Sequence, residues 1–345
     1  MTIGQPDLAE IHSLMDSRVE TGQAVGIIAG VIDTQGRQVL ASGKISLGGA
    51  QVPNGDTVYE IGSITKVFTS LLLTGMIENG EVKGDDPVAN FLPAGVRVPS
   101  RNGRQITLLD LSMQVSGLPR LPDNLRPPNM ANPYVDYDAA KLYDFLSRHQ
   151  LKRDPGERYE YSNLAVGLLG QALALKAGMR YEELLQRCIF EPLGMSSTAI
   201  TLSDSLKARL APGYSASLKP VKNWDFGVLA GCGAIRSTVN DMLKFVAANL
   251  EITDSPLRAA MQRMRTIKRA TGMPDVEIAM GWHVYTKFDT EIWWHNGGTF
   301  GYRSFLGFNS GKKAGAVVLC NTFVDNDDIG RHILERRNAA APSPK

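Results

Sequence analysis

The hydrophobic positions of this chain follow a helical period at the start and an alternating period soon afterwards. Apolar residues recur at helical spacing from Leu8 to Val19 and predict an amphipathic helix over residues 7–20 with one buried stripe. The β-rich runs AVGIIAGVID and RQVLASGKI flank the short polar turn TQG, which predicts a hairpin. A second helix is expected where Val67 to Leu72 supply an apolar face.

Residues 84–225 show a different pattern from the segment that precedes them. Prolines interrupt this region, and helical spacing is found in YDAAKLYDFLSRH, NLAVGLLGQALALKAG and YEELLQRCIF. After residue 275 the β-rich runs return in IAMGWHVYT, EIWWHN, YRSFLGF and AGAVVLCN. A closing helix is expected over residues 328–337.

The order of these segments predicts an α+β fold. Strands from both ends of the chain would form one antiparallel β-sheet flanked by N- and C-terminal helices, with an all-helical lobe inserted. We expect a discontinuous sheet domain of residues 1–83 and 226–345 and a mainly helical domain of residues 84–225. An active site would lie between them.

The charge balance favours a small-molecule partner. The chain has 37 Lys and Arg against 35 Asp and Glu, a formal net charge of +2 without a basic cluster, so no nucleic-acid partner is expected. No apolar run approaches the ~20 residues that cross a bilayer, so no membrane span is expected. The start of the chain lacks a charged region followed by an apolar core, which favours a cytoplasmic protein. An exported protein whose leader had been removed would show the same start of the chain, so export is the alternative. The oligomeric state is left open, because no pattern in the sequence indicates one.

The cysteines and histidines give no sign of a metal or a cofactor. Cys188, Cys232 and Cys320 lie in apolar or glycine-rich runs without metal-ligand spacing, so free, buried thiols are expected. The five histidines also lack ligand spacing. The segment GCGAIR lacks the third glycine of a dinucleotide-binding loop, and no phosphate-binding loop motif is present. We therefore predict no metal and no cofactor.

A serine and a lysine three positions apart, Ser63 and Lys66, are the first candidate catalytic residues. A serine hydroxyl becomes a nucleophile when a nearby base takes its proton, and residues i and i+3 share one face of a helix. Ser63 is expected in the first turn of a helix, where backbone N–H groups can stabilise an oxyanion. The same spacing in Ser310 and Lys313 lies in a polar turn between two strands and carries no such context.

A second candidate element is Tyr161-Ser162-Asn163, at a boundary between a loop and a helix. The Tyr161 phenol could relay protons between nucleophile and leaving group. The Asn163 amide could orient both the lysine and a substrate carbonyl. A buried tyrosine beside an asparagine N-cap would give the same letters, so this element has weight only together with the others.

The third candidate element is His295-Asn296-Gly297-Gly298, at the end of an apolar strand. The glycines would let a substrate backbone lie against the strand, and the Gly298 N–H could join that of Ser63 as an oxyanion hole. We expect all four residues to bind the substrate, although a histidine at a strand end is by itself commonly structural.

The order of these three elements resembles that of the serine β-lactamase and penicillin-binding protein superfamily. With Tyr-Ser-Asn in the middle, the chain is similar to the class C branch, which includes class C β-lactamases, D-alanyl-D-alanine carboxypeptidases and β-lactamase-like family VIII esterases. Flanking segments such as ITLLDLSMQVSGLP and PGERYEYSNLAVGLLG extend the resemblance over roughly residues 20–335.

The resemblance implies a role for each candidate residue. Ser63 would attack the acyl carbon, and Lys66 with Tyr161 would move the proton. Asn163 would orient the substrate amide or ester, and the backbone amides of Ser63 and Gly298 would hold the oxyanion. The family fold, an antiparallel sheet beside a helical lobe with the site between them, agrees with the order of predicted elements.

The chain departs from the lactamase pattern at residues 295–297, where His-Asn-Gly stands in place of Lys-Thr-Gly. Lysine is a permanent cation that attracts a substrate carboxylate, whereas histidine is mostly neutral at pH 7. This difference favours a carboxylesterase that acts on short acyl esters through an acyl-enzyme, with weak β-lactam hydrolysis. Three alternatives stay open: a D-alanyl peptide or D-amino-acid amide hydrolase, a class C-like β-lactamase, and a non-catalytic sensor of β-lactams or peptides.

Overall fold

The long strands lie near the two ends of the chain, and most of the helices lie between them. The computed structural model describes residues 8–287 and 291–335. The helices in these ranges are α1 (Leu8–Glu20), α2 (Thr65–Glu78), α3 (Leu108–Ser112), α4 (Ala139–Arg148), α5 (Asn163–Ala177), α6 (Tyr181–Leu185), α7 (Asp204–Lys207), α8 (Val239–Asn249), α9 (Arg258–Arg263) and α10 (Asp327–Glu335). The strands are β1 (Gly26–Asp33), β2 (Gly36–Gly43), β3 (Tyr59–Glu60), β4 (Ser100–Arg101), β5 (Arg104–Gln105), β6 (Gly213–Tyr214), β7 (Pro220–Val221), β8 (Arg236–Ser237), β9 (Arg269–Ala270), β10 (Val276–Ile278), β11 (His283–Tyr285), β12 (Ile292–Gly298), β13 (Arg303–Asn309) and β14 (Ala314–Cys320).

Strands from the two ends of the chain form one eight-stranded antiparallel sheet in the order β2-β1-β14-β13-β12-β11-β10-β9. The predicted N-terminal hairpin is β1 with β2, and β1 pairs on its other side with β14, where Ile28 lies opposite Leu319. The predicted α+β fold, with a sheet built from both ends of the chain, is confirmed.

The two faces of the sheet are covered by different helices. Alternate residues of β1, such as Ile27 and Ala29, share an apolar cluster with residues of α1 and α10. Ile28 belongs to the larger cluster on the opposite face, where α8 packs. Gly30 allows α8 to approach, because a Cβ at this position would lie 2.6 Å from a methyl carbon of Val239.

Helix α2 joins the sheet to the helices of residues 84–225. Most residues of α2 are buried, on nearly every face of the helix. Phe68 shares one apolar cluster with Leu306 of the sheet and Leu168 of α5. The region 84–225 also contains the short strand pairs β4–β5 and β6–β7, so the expectation of an all-helical lobe is wrong in this detail. The division of the chain into two domains stays a prediction.

The lengths of the helices and the burial of the cysteines bear on two smaller expectations. No helix in the described part of the chain is long and apolar enough to cross a bilayer. Cys232 and Cys320 are buried, as predicted, and none of the three cysteines forms a disulfide. Cys188 is only half-buried, because it lies on the wide helical turn Gln186–Phe190 at the edge of the helical region. The expectation that all three thiols are buried is therefore wrong at Cys188.

Candidate active site

Ser63 lies in a short 3₁₀ turn, Gly62–Ile64, that connects β3 to α2. The sequence analysis placed it in the first turn of an α-helix, but the α-helical hydrogen bonding of α2 begins only at Thr65. The turn is possible because Gly62 adopts a φ of +50°, a left-handed conformation that glycine takes without steric cost. A Cβ at Gly62 would also lie 2.6 Å from the Gly298 nitrogen, so this glycine lets the turn and strand β12 touch.

Lys66 is buried directly behind Ser63. Its side chain is 1% exposed, and its Nζ lies 3.0 Å from Ser63 Oγ and 2.7 Å from the carbonyl oxygen of Cys232. No carboxylate among the described residues lies within ion-pair distance of this amine. The lysine is thus oriented by a neutral carbonyl and by the serine itself, as a residue that exchanges a proton with Ser63 requires.

Tyr161 reaches the same place from the start of α5. The N-cap of this helix is Ser162, whose hydroxyl accepts a hydrogen bond from the Ala165 N–H at 2.9 Å and donates one to the Pro119 carbonyl at 2.6 Å. These bonds hold the preceding residue, so that the Tyr161 ring centroid lies 4.8 Å from Lys66 Nζ. Two predicted elements that are nearly 100 residues apart therefore meet.

Asn163 is the first residue of α5 and faces the same cavity as Tyr161. Its Nδ2 donates to the Tyr134 hydroxyl at 3.1 Å, and burial raises the pKa of that phenol, which keeps it neutral. The Asn163 backbone N–H donates to the Arg120 carbonyl at 3.0 Å. Both ends of the asparagine are therefore tied to loop 118–134.

Strand β12 forms the opposite wall and packs directly on the turn that carries Ser63. A Cβ at Gly297 would clash with the Ile61 carbonyl and lie 2.9 Å from the Ser63 nitrogen. Ser304 on β13 donates a hydrogen bond to the same Ile61 carbonyl at 2.8 Å. The strand and the turn therefore approach closely, with the backbone of Gly297 and Gly298 against that of Gly62 and Ser63. The oxyanion hole formed by the Ser63 and Gly298 N–H groups stays a prediction.

His295 and Asn296 point in different directions, as successive residues of a strand must. Asn296 lines the cavity and donates a hydrogen bond to Asp327 of α10. His295 is 2% exposed, is not among the cavity-lining residues, and donates from Nδ1 to the Asn296 carbonyl at 2.6 Å. Removal from water lowers the pKa of His295 well below its usual value, and the nearby His283 and Lys66 lower it further, so the ring is neutral.

The cavity between these walls has a volume of about 470 Å³ and is called the reaction cavity below. Six of the eight sequence-predicted site residues line it, and the other two, Lys66 and His295, lie behind its walls. The predicted residues in its lining are Ser63, Tyr161, Asn163, Asn296, Gly297 and Gly298.

Comparison with known proteins agrees with this geometry. A profile of the family described as Beta-lactamase matches residues 11–341. The chain belongs to the Beta-lactamase family. The resemblance seen in the order of the three sequence elements is therefore confirmed at the level of the family.

Two curated relatives differ in their described activities. The chain is 33% identical over 246 residues to the D-alanyl-D-alanine-carboxypeptidase/endopeptidase AmpH of Escherichia coli, a match that covers 71% of this chain and 62% of the relative. It is 26% identical over 348 residues to a Beta-lactamase of the same species, covering 90% of this chain and 88% of the relative. The chain thus spans less than two thirds of the carboxypeptidase relative's length.

Two solved structures share the fold over almost the whole chain. The Beta-Lactamase/D-Alanine Carboxypeptidase of Pseudomonas syringae superposes with a TM-score of 0.83 at 23% identity and covers 97% of this chain and 99% of its own. The Beta-lactamase/D-alanine Carboxypeptidase of Yersinia pestis gives a TM-score of 0.80 at 27% identity, with coverage of 94% and 97%.

Two arginines in the reaction cavity were missed by sequence reasoning. Arg120 is exposed, stands 5.0 Å from the centroid of the Tyr161 ring on the loop after α3, and makes no ion pair with a described residue. Arg303 on β13 is 3.2 Å from Asp325, which is itself largely exposed. Neither arginine stands in a recognisable motif. The conformation of the loop around Arg120 and the register of β13 bring them into the cavity.

Aromatic residues form the far end of the reaction cavity and were also missed. Trp224 packs on Phe300 with ring centroids 4.8 Å apart and on Tyr134 at 5.6 Å. Its backbone is held by a buried ion pair, because its N–H donates to Glu60 at 3.0 Å and its carbonyl accepts from Arg236 at 2.7 Å. The Arg236 guanidinium lies 3.1 Å from Glu60, both side chains being under 10% exposed. This pair fixes one wall of the cavity.

His283 was set aside in the sequence analysis as one of five histidines without ligand spacing, and the structure places it in the cavity wall. Its ring stacks on that of Tyr161 with centroids 6.4 Å apart, and its Nε2 lies 3.0 Å from the Tyr159 hydroxyl. Removal from water, with a smaller contribution from the charge of Lys66, lowers the pKa of His283 to about 4. A neutral ring therefore backs the tyrosine at neutral pH.

Proposed function

We propose that the protein is a serine hydrolase that works through an acyl-enzyme on Ser63. The observation that carries this proposal is the buried Lys66 amine at 3.0 Å from Ser63 Oγ, behind the wall of a cavity that is lined by Ser63, Tyr161 and Gly298. Membership of the Beta-lactamase family supports it. The three side chains together supply a nucleophile and the groups that move its proton.

The proposed reaction has two half-steps. Ser63 Oγ bonds to the acyl carbon and gives its proton to the Lys66–Tyr161 pair, which returns a proton to the leaving oxygen or nitrogen as that bond breaks. Water then attacks the acyl-enzyme and gives a proton to the same pair, and Ser63 Oγ leaves the acyl carbon with a proton restored. The backbone amides of Ser63 and Gly298 stabilise the oxyanion in both half-steps.

We propose further that the substrates are short acyl esters, with weak β-lactam hydrolysis. Asn163 would orient the ester, and Asn296 and Gly297 would support it along β12. His295 supports this choice because it is buried and neutral where the lactamase pattern has a lysine, and so adds no charge that would attract a carboxylate. The aromatic wall around Trp224 suits an apolar acyl or alcohol group.

A second candidate function, hydrolysis of D-alanyl peptides or D-amino-acid amides, is favoured by one observation. Arg120 and Arg303 stand in the reaction cavity and could bind a peptide carboxylate in the absence of the lysine. The described activity of the AmpH relative points the same way. A class C-like β-lactamase and a non-catalytic sensor are the other outcomes to be distinguished.

The test is a set of kcat/KM values for p-nitrophenyl acetate and butyrate, a D-alanyl-D-alanine peptide with a free and with a methylated carboxyl terminus, and a cephalosporin. An esterase hydrolyses the p-nitrophenyl esters fastest. A carboxypeptidase prefers the peptide with the free carboxyl terminus over its methyl ester. A lactamase hydrolyses the cephalosporin fastest. A stable adduct in mass spectrometry without turnover of any substrate would indicate a sensor and contradict the proposed hydrolase.

A further inference from the structure

A second cavity, of about 690 Å³, lies beside the reaction cavity and shares a wall residue with it. The shared residue is Leu121, on the loop that also carries Arg120. The other walls come from the C-terminal end of α4 and from residues 150–160, which lead directly to Tyr161. This space is called the basic cavity below.

Positive charge dominates the lining of the basic cavity. Four permanent cations stand against two carboxylates, and burial lowers the pKa of the nearby His149, so that its ring adds no charge at neutral pH. The cations are Arg148, Lys152, Arg153 and Arg158, and the carboxylates are Asp123 and Glu160.

Both carboxylates are already engaged by two of the cations. Arg148 lies 2.7 Å from Asp123, and Arg153 forms an ion pair with Glu160. Lys152 and Arg158 are exposed, and within residues 8–287 and 291–335 neither of them makes an ion pair. Their charge is therefore the part that the protein leaves uncompensated.

Arg153 strengthens the positive potential of the wall from within. Its side chain is 9% exposed, and its Nε and Nη2 have no hydrogen-bond partner among the described residues. Its one carboxylate partner, Glu160, is 41% exposed, so water weakens the pairing between the two charges. The Arg153 guanidinium therefore still attracts a neighbouring anion.

Arg120 connects the two cavities electrostatically. It is next to the shared Leu121, its guanidinium lies over Tyr161, and it is exposed. Positive charge thus continues from the side of the reacting serine across loop 119–121 into the basic cavity. Clefts that are lined by one sign of charge concentrate ligands of the opposite sign.

We propose that the basic cavity binds an anionic group that the substrate carries several bonds away from its reacting carbonyl. This inference rests on the proposed function, since it takes Ser63 as the point where the reacting carbonyl is held. Arg120 guides the anionic extension across the loop, and Lys152 and Arg158 bind its charge. The substrate is then an extended acid rather than a small neutral ester alone.

The test compares mono-p-nitrophenyl esters of dicarboxylic acids, from adipate to sebacate, with their methyl-capped partners. A second series carries the carboxylate on the alcohol side, as acetyl esters of ω-hydroxy acids and their methyl esters. For the wild type we expect kcat/KM to be about tenfold higher for the acid at one chain length in at least one series, which corresponds to ~1.4 kcal/mol.

The decisive variant is the double charge reversal Lys152→Glu with Arg158→Glu. It should abolish the preference for the acid, while p-nitrophenyl acetate, which is too short to leave the reaction cavity, keeps its wild-type turnover. The matched control is Arg37→Glu with Lys176→Glu, which changes the net charge equally at two exposed positions outside both cavities. This control should keep the preference.

Two results would overturn the inference: no preference for the acid in either series, or a preference that the Lys152 and Arg158 variant retains. If the wild type hydrolyses no ester at all, the proposed function fails first. Calorimetric titration of suberate then decides the inference alone, since binding to the wild type that the double variant loses supports the basic cavity. Equal binding, or none to either protein, rejects it.

Discussion

Ser63 and Lys66 show how much a single pair of residues depends on its surroundings. The same spacing occurs at Ser310 and Lys313, but there it lies in the turn between β13 and β14, where Lys313 binds the Leu250 carbonyl at 2.7 Å instead of a serine. At Ser63 the amine is buried and lies 3.0 Å from the hydroxyl. Burial and direction, which spacing alone does not specify, separate the two pairs.

Replacing Ser63 or Lys66 by alanine should nearly abolish ester hydrolysis. We expect kcat to fall by a factor on the order of 10³ to 10⁶ for Ser63→Ala, and almost as much for Lys66→Ala, because the proposed mechanism needs both residues. The measurement is steady-state turnover of p-nitrophenyl butyrate by folded protein. Ser310→Ala is the control and should retain full activity. Substantial turnover by Ser63→Ala would mean that another nucleophile acts.

Gly62 should be intolerant of a side chain for two separable reasons. Gly62→Ala would place a residue with a Cβ at φ +50°, at a cost of about 1–2 kcal/mol, and would push that Cβ against the Gly298 nitrogen. We expect both lower stability in urea unfolding and loss of kcat, since the Gly298 N–H of the proposed oxyanion hole is displaced.

The matched control for this glycine is Gly80→Ala. Gly80 has φ +73°, but a Cβ there would meet nothing within 4 Å. It should lose stability through backbone strain while its kcat stays at the wild-type level. Equal kcat in the two variants would show that contact between the turn and β12 does not matter for the reaction.

At the scale of single elements, the start of α5 is the clearest link between local structure and the site. Ser162 caps the helix and also bonds to Pro119, so one hydroxyl holds both Tyr161 and the loop that carries Arg120. The sequence pattern predicted a helix here and a tyrosine at its start. It did not predict that the cap joins the helix to loop 118–134, because that contact spans more than 40 residues.

Ser162→Ala should reduce stability and activity together. Loss of an N-cap costs about 0.5–2 kcal/mol, and the freed loop and Tyr161 should lower kcat by more than the change in folded fraction explains. Ser203→Ala is the control, because Ser203 caps the remote helix α7 through the Leu206 N–H at 3.3 Å. It should lose stability without loss of kcat. The measurements are urea unfolding and turnover at a temperature where both variants are folded.

At the scale of the whole molecule, the fold buries two neutral histidines next to the proposed catalytic residues. His283 and His295 lie 5.2 Å apart between their ring centroids, and both have lowered pKa values, chiefly because they are removed from water. The sequence analysis treated His295 as a substrate-facing residue. In the folded protein it stands behind the cavity wall, so its neutrality affects the site through Tyr161 and Lys66.

The buried His283 should make the protein less stable in mild acid. Its pKa is lowered from 6.5 to about 4 in the folded state, so between these pH values the unfolded chain binds a proton that the folded protein excludes. The free energy of unfolding should therefore fall as the pH decreases from 6.5 towards 4, by on the order of 3 kcal/mol from this residue. His283→Gln should reduce the slope of stability against pH in this window. An unchanged slope would mean that His283 is protonated in the folded protein.

The sequence by itself determined the elements and the catalytic candidates, because periodicity and short motifs are properties of neighbouring residues. The hairpin β1–β2, the late strands, helices α4 and α5, and the set Ser63, Lys66, Tyr161 and Asn163 were all readable in this way.

Only the tertiary structure decided what surrounds these residues. It placed His295 behind the wall, brought Arg120 and Trp224 into the reaction cavity, and set the basic cavity beside it. The reason is physical: Arg120 and Trp224 lie on loops that have no repeating pattern of their own, and the paths of these loops follow from the packing of α2, α5 and the sheet around one core.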